Sequence, residues 1–131
     1  MKYLLDTNVC IEWLAGKNLQ LRDKIVQCQN QDLAICSIVK AELLYGARKS
    51  QNRHKNETRL KDFFSQIQSL PFDDESAEQY GTLRAMLEQA GIVVGGNDLM
   101  IAAMAQQHRL TVVTRNEREF NRISTVKIEV W

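Results

Sequence analysis

Three short apolar runs in this chain each stop on one polar residue: Tyr3–Leu5 on Asp6, Leu33–Cys36 on Ser37, and Leu110–Val113 on Thr114. A fourth run lies at Val126–Val130. Runs this short and apolar read as buried strands, and the stretches between them carry helical spacing. Strands that alternate with helices predict an α/β fold. Here that means a central, mainly parallel sheet of four to five strands covered by helices. At 131 residues the expectation is one domain over 1–131. In open sheets of this kind the ligand site lies at the carboxyl ends of the strands. Asp6, Ser37 and Thr114 therefore point to a single sheet edge.

The helical segments are legible from their apolar stripes. Val9–Leu14 follows the Asp-Thr-Asn turn, and Leu19–Gln29 follows it. Ser37, a favoured N-cap residue, opens a helix with Ile38, Val39, Leu43 and Leu44 apolar. Asn52–Leu70 reads as one polar helix with a stripe at Leu60, Phe63, Phe64 and Ile67, closed by Pro71. Glu75–Ala90 stops at Gly91, and a helix from about Asn97 to His108 follows the Gly95-Gly96 break.

Composition excludes several classes. Apolar residues at 44% and charged residues at 25% are ordinary globular usage, which argues against disorder. Seventeen basic against sixteen acidic residues leave a net charge of +1. Bulk charge thus predicts nothing about a nucleic-acid or membrane partner, and any such partner must be met by a local patch. No apolar run approaches the ~18 residues of a membrane span, and the Met-Lys-Tyr-Leu-Leu-Asp start is no secretory signal. Cys10, Cys28 and Cys36 form no CxxC and suit reduced thiols, hence a cytoplasmic setting. His54 and His108 stand alone, so a zinc site is not expected.

The acids carry the chemistry. Asp6 follows the first strand, where a plain turn or N-cap is the competing explanation. Glu42 has Ile38, Val39 and Tyr45 as helical neighbours. It therefore lies by the apolar stripe and needs a partner, either a base such as Lys40 or Arg48, or a metal. Asp98 opens a helix, where capping alone would account for it. After the third strand come Asn116, Glu117 and Glu119. Gathered at one edge, two such charges about 5 Å apart repel by about 3 kcal/mol at an effective dielectric of 20. A hard divalent cation removes that cost, and oxygen-only ligation suits magnesium or manganese.

Taken together, LLDTNVCIEWL (4–14), ICSIVKAELLYGARKS (35–50), GGNDLMIAAMA (95–105), VVTRNEREFNRI (112–123) and VKIEVW (126–131) resemble the PIN-domain ribonucleases, and within them the VapC toxins of toxin–antitoxin pairs. The Asp-Thr-Asn triplet alone is common; the ordered set spanning the chain is specific. The resemblance implies a PIN-like sandwich, with Asp6, Glu42 and Asp98 at the family's acidic positions and Asp6 and Asp98 on the metal. Asn8 and Thr114 match polar positions that orient the carboxylates. Where the family often has a fourth acid, this chain has Asn116, and Glu119 is the candidate substitute.

The resemblance further implies a magnesium-dependent endoribonuclease, with manganese as a substitute ion, acting on structured RNA such as tRNA. Without a histidine pair to deprotonate a ribose hydroxyl, attack by water is expected, leaving 3′-hydroxyl and 5′-phosphate ends. It also implies a homodimer and a VapB-type antitoxin that blocks the pocket, assembles with the toxin and alone contacts operator DNA. Trp13, Leu14, Leu43, Leu44 and Tyr45 could floor the antitoxin's groove or equally be core. Residues 48–61 hold Arg48, Lys49, Arg53, Lys55, Arg59 and Lys61 against Glu57, a candidate grip on RNA phosphates. Three rival readings remain, one of them a DNA-directed or flap nuclease of the same fold, which usually carries more acids and insertions than 131 residues accommodate. A haloacid-type phosphatase would use Asp6 as nucleophile but needs a second Asp at position 8, which is Asn. A non-catalytic α/β protein-binding module would use the acids only as caps.

Overall fold

The computed structural model describes all 131 residues. Five strands, β1 (Tyr3–Leu5), β2 (Leu33–Cys36), β3 (Gln68–Leu70), β4 (Thr111–Val113) and β5 (Ile128–Glu129), form one sheet in the order β3-β2-β1-β4-β5. Every neighbouring pair is parallel. The α/β expectation holds, at the upper end of the strand count.

Seven helices connect the strands: α1 (Thr7–Ala15), α2 (Leu19–Gln27), α3 (Ser37–Lys49), α4 (Arg53–Gln66), α5 (Asp74–Gln89), α6 (Gly96–His108) and α7 (Glu117–Phe120). In the central strands Leu4, Leu5, Ala34, Ile35, Val112 and Val113 are all fully buried. Consecutive strand residues face opposite sides, so both faces of the sheet are covered. On α6 an unbroken run from Ile101 to Ala105 is buried. A helix apolar on every side is a core helix, and its rigidity fixes the position of its first turn.

The chain runs outward from β1 to β2 and β3, then returns through α5 and α6 to place β4 on the other side of β1. The order therefore reverses at β1, which creates a crevice beyond its carboxyl end. Asp6 occupies that point.

Two local expectations are corrected. The stretch Asn52–Leu70 is not one helix: α4 ends at Gln66, and Gln68–Leu70 pairs with β2 in the register Ala34↔Gln68 to Cys36↔Leu70. This edge strand is short and largely exposed, so no apolar alternation announces it. Ser37 is not the N-cap of α3; Cys36 holds that position without a side-chain cap bond, and the Ser37 hydroxyl donates to the Leu70 carbonyl at 3.3 Å. The serine ties β3 to the helix instead of capping it.

Candidate active site

Asp6 is both the N-cap of α1 and the floor of the crevice. Its Oδ1 accepts the Thr7 backbone N–H at 2.8 Å, and its Oδ2 accepts the Thr114 hydroxyl at 2.7 Å. The register that sets Leu5 beside Val113 brings these two residues together. The Asp6 N–H completes the ladder on the Val113 carbonyl at 2.9 Å. Burial pushes the Asp6 carboxyl above the usual range; the bonds from Thr114 and Thr7 pull it back, and the charge of Glu42 pushes it up again.

Glu42 projects from α3, the helix that leaves β2. Neither Lys40 nor Arg48 pairs with it. The Thr7 hydroxyl donates to its Oε2 and the Asn97 side-chain amide to its Oε1. Thr7 is the residue that couples Asp6 to Glu42, since the same residue gives its N–H to one acid and its hydroxyl to the other. Asn8, the expected orienting residue, is exposed. The first turn of α1 directs Thr7, not Asn8, at the acids. The sequence signal for Thr7 and Asn97 was adjacency to the acidic motifs, and nothing more.

Asp98 lies in the first turn of α6 but does not cap it; Gly95 is the N-cap and makes no side-chain bond. Instead Asp98 Oδ2 accepts the Asn116 side-chain amide at 2.7 Å. Its carboxyl is pushed up to about 6, chiefly by burial, then by the charges of Asp6 and Glu119, against the Asn116 bond. Glu119, on α7, accepts the Gly95 N–H at 3.0 Å and so pins the turn that starts α6.

The structure thus brings Asp6, Glu42, Asp98, Glu119, Thr114 and Asn116 to one sheet edge. No arginine or lysine neutralises the four acids; the four ion pairs use Glu57 twice, Glu88 and Glu12. No three metal-ligating side chains close into a ready-made cage. Carboxylates that face one another without a basic partner would suit a hard divalent cation, which can be held through one or two protein carboxylates. Asp6 and Asp98 are the two that would hold it.

The basic stretch is partly self-neutralised. Arg48 and Arg53 both reach Glu57, at 3.5 Å and 2.9 Å, while Lys49 stacks over the Tyr45 ring at 4.8 Å and Lys55 is exposed. Beside Glu42 opens a groove of about 350 Å³ floored by Leu14, Leu43 and Leu60. Of the five apolar candidates for such a floor, Leu43 is core, Tyr45 is 66% exposed, and Trp13, Leu14 and Leu44 are part-buried against the core.

The chain matches the PIN domain family over residues 3–126. It is 39% identical to "Ribonuclease VapC2" of Rickettsia felis, covering all of this chain and 98% of that protein. It is 37% identical, with the same coverage, to the "tRNA(fMet)-specific endonuclease VapC" of Shigella flexneri. Among solved structures, a chain of DNA-bound VapBC from Salmonella typhimurium matches at a TM-score of 0.93 and 38% identity, over 100% of this chain and 98% of that one.

Proposed function

Because this chain belongs to the PIN domain family, and within it to the VapC-type ribonucleases of toxin–antitoxin pairs, we propose that it is a magnesium-dependent endoribonuclease whose site is the acidic edge around Asp6 and Asp98. One observation carries the reading. Asp6, Glu42, Asp98 and Glu119 meet at one sheet edge with no basic side chain paired to them, and burial, followed by the charges of Asp6, Glu119 and Glu42, pushes the Asp98 carboxyl up to about 6. Magnesium bound by Asp6 and Asp98 would supply a nucleophilic water at neutral pH and neutralise charge on the phosphate. The protein's own groups set the rest. Thr114 and Asn116 fix the two carboxylates from the end of one strand, and Glu42, held by Thr7 and Asn97, orients the attacking water.

In-line attack by water leaves 3′-hydroxyl and 5′-phosphate ends. A phosphatase mechanism with Asp6 as nucleophile fits poorly, since the position two residues on, where it needs a second Asp, is Asn8, and Asn8 is exposed. Structured RNA is the substrate class, and tRNA the first choice, because a full-length relative bears that specificity in its name. Arg48, Lys49, Arg53 and Lys55 supply the phosphate contacts, with Arg48 and Arg53 released from Glu57 on binding. The groove beside Glu42 receives a segment of a VapB-type antitoxin, and the toxin works as a homodimer whose contact with operator DNA runs through that antitoxin. Manganese substitutes for magnesium, and the cytoplasm is the site of action.

The decisive experiment maps product ends on total RNA treated with purified protein. The expected result is magnesium-dependent cleavage leaving 5′-phosphates, abolished in Asp98→Asn although that variant folds normally. Products ending in 2′,3′-cyclic phosphate, or full activity in Asp98→Asn, would contradict the assignment.

A further inference from the structure

Between the two residues that hold the site's carboxylates lies one that touches neither. Thr114 bonds Asp6 and Asn116 bonds Asp98. The separation of the two acids therefore depends on the shape of a three-residue segment between β4 and α7. Its backbone is restrained by the Asn116 N–H on Thr114 Oγ1 at 2.9 Å and by the Thr114 N–H on the Glu129 carbonyl at 3.2 Å. Neither bond ties the segment to α1, the helix that carries Asp6 at its start.

Thr114 reaches only Asp6 at the start of that helix; Arg115 adds a second tie, to the helix body. Its Nε donates to Glu12 Oε2 on α1 at 2.8 Å, and its η nitrogen donates to the Trp131 carbonyl. The guanidinium is planar and rigid, so two bonds in different directions fix its orientation. Its side chain is 26% exposed, against 55–63% for the arginines of the other ion pairs. Trp131 is itself fixed, 8% exposed and edge-on to the Tyr3 ring of β1 at 4.8 Å. Both anchors of Arg115 therefore belong to parts of the fold that flank β1.

We propose that Arg115 is a positioning residue for the acidic site: clamped to Glu12 and to the Trp131 carbonyl, it sets where Thr114 and Asn116 stand and thereby holds Asp6 and Asp98 at metal-binding separation. The proposal rests on the reading of those acids as the metal-binding site. Partners one step removed from a ligand change metal affinity or activity by about 10–100-fold when lost.

The test compares Arg115→Gln, Arg115→Lys, Glu12→Gln and the double variant Glu12→Gln/Arg115→Gln with the unmodified chain. Three quantities are measured: Mn²⁺ affinity by calorimetry without RNA, kcat and KM on total tRNA at saturating Mg²⁺, and the salt slope of tRNA binding in chelator. Both single glutamine variants are expected to weaken Mn²⁺ binding and lower kcat by about 10-fold or more. KM and the salt slope stay unchanged, the double variant is no worse than Arg115→Gln, and Arg115→Lys lies between. A salt slope reduced by about one charge in Arg115→Gln alone marks a phosphate contact and overturns the proposal. So do Mn²⁺ affinity and kcat equal to those of the unmodified chain. Should Arg115→Gln fail to fold, Glu12→Gln, isosteric and partly exposed, decides the matter by the same criteria. An unmodified chain that neither binds Mn²⁺ nor cuts tRNA overturns the site reading itself, which is a different result from active protein with indifferent variants.

Discussion

The Thr114 hydroxyl and the Asp6 carboxylate meet at 2.7 Å, both residues buried, across 108 positions of sequence. This bond lowers the Asp6 carboxyl against the burial that raises it. A hydrogen bond to a charged group contributes about 1.5–3 kcal/mol. Thr114→Val keeps the shape and deletes the donor. It is expected to weaken Mg²⁺ binding and slow RNA cleavage by about 10–100-fold, while Thr114→Ser keeps most of both. Calorimetry on the metal and initial cleavage rates check this.

Asp98 titrates near 6 in the folded chain against an ordinary 3.8. A carboxyl raised on folding binds its proton more tightly in the native state, so stability falls as pH rises. The contribution is fully present below about pH 4 and lost as pH passes 6. Metal-free protein should therefore lose Tm across that window relative to Asp98→Asn, which does not titrate. Added Mg²⁺ should raise Tm more at pH 7.5 than at pH 5, because the proton and the metal compete for Asp98. Equal Mg²⁺ effects at the two pH values would remove Asp98 from the metal site.

Glu119 has two effects that a single substitution separates. Its carboxylate holds the Gly95 N–H, and its charge raises Asp98. Glu119→Gln keeps an acceptor for Gly95 but removes the charge. The acid limb of the pH–rate profile is expected to move to lower pH, with a smaller loss of rate than in Asp98→Asn. A loss as deep as that of Asp98→Asn would instead make Glu119 a direct metal ligand.

Glu57 holds back the basic face by engaging Arg48 and Arg53 together. Glu57→Gln should tighten tRNA binding at low salt and steepen its salt dependence, by about 0.7 in slope for each added contact to single-stranded phosphate. Removing Arg53 and Lys55 together should flatten that slope. Fluorescence anisotropy across a salt series, run without divalent metal, reads both.

Much of the fold was legible because the central strands announce themselves. Leu4–Leu5, Leu33–Cys36 and Val112–Val113 are buried on both faces, and each run ends on a polar residue. The edge strand β3 was not legible, since an exposed Gln-Ser-Leu owes its conformation to backbone pairing with β2 rather than to its own side chains. The same division runs through the site. Asp6, Glu42 and Asp98 stand out in the sequence as acids at apolar margins. Asn8 was assigned the place that Thr7 fills, and the capping explanation that competed for Asp98 falls away, because hydrogen-bond direction depends on which side of a helix faces which strand end.

By itself, then, the sequence determined the alternation of elements, the apolar strands and the polar residue that ends each of the three clearest, since periodicity and burial are local properties of side-chain type. Only the tertiary structure decided that Thr114 serves Asp6, that Asn116 serves Asp98, that Asn97 and Thr7 share Glu42, and that Arg115 locks onto Glu12. The Thr114–Asp6 pairing follows from the parallel register that sets β1 beside β4, and the reach of Glu42 to Thr7 from β2 lying on the other side of β1; no local pattern encodes which distant strand will lie alongside.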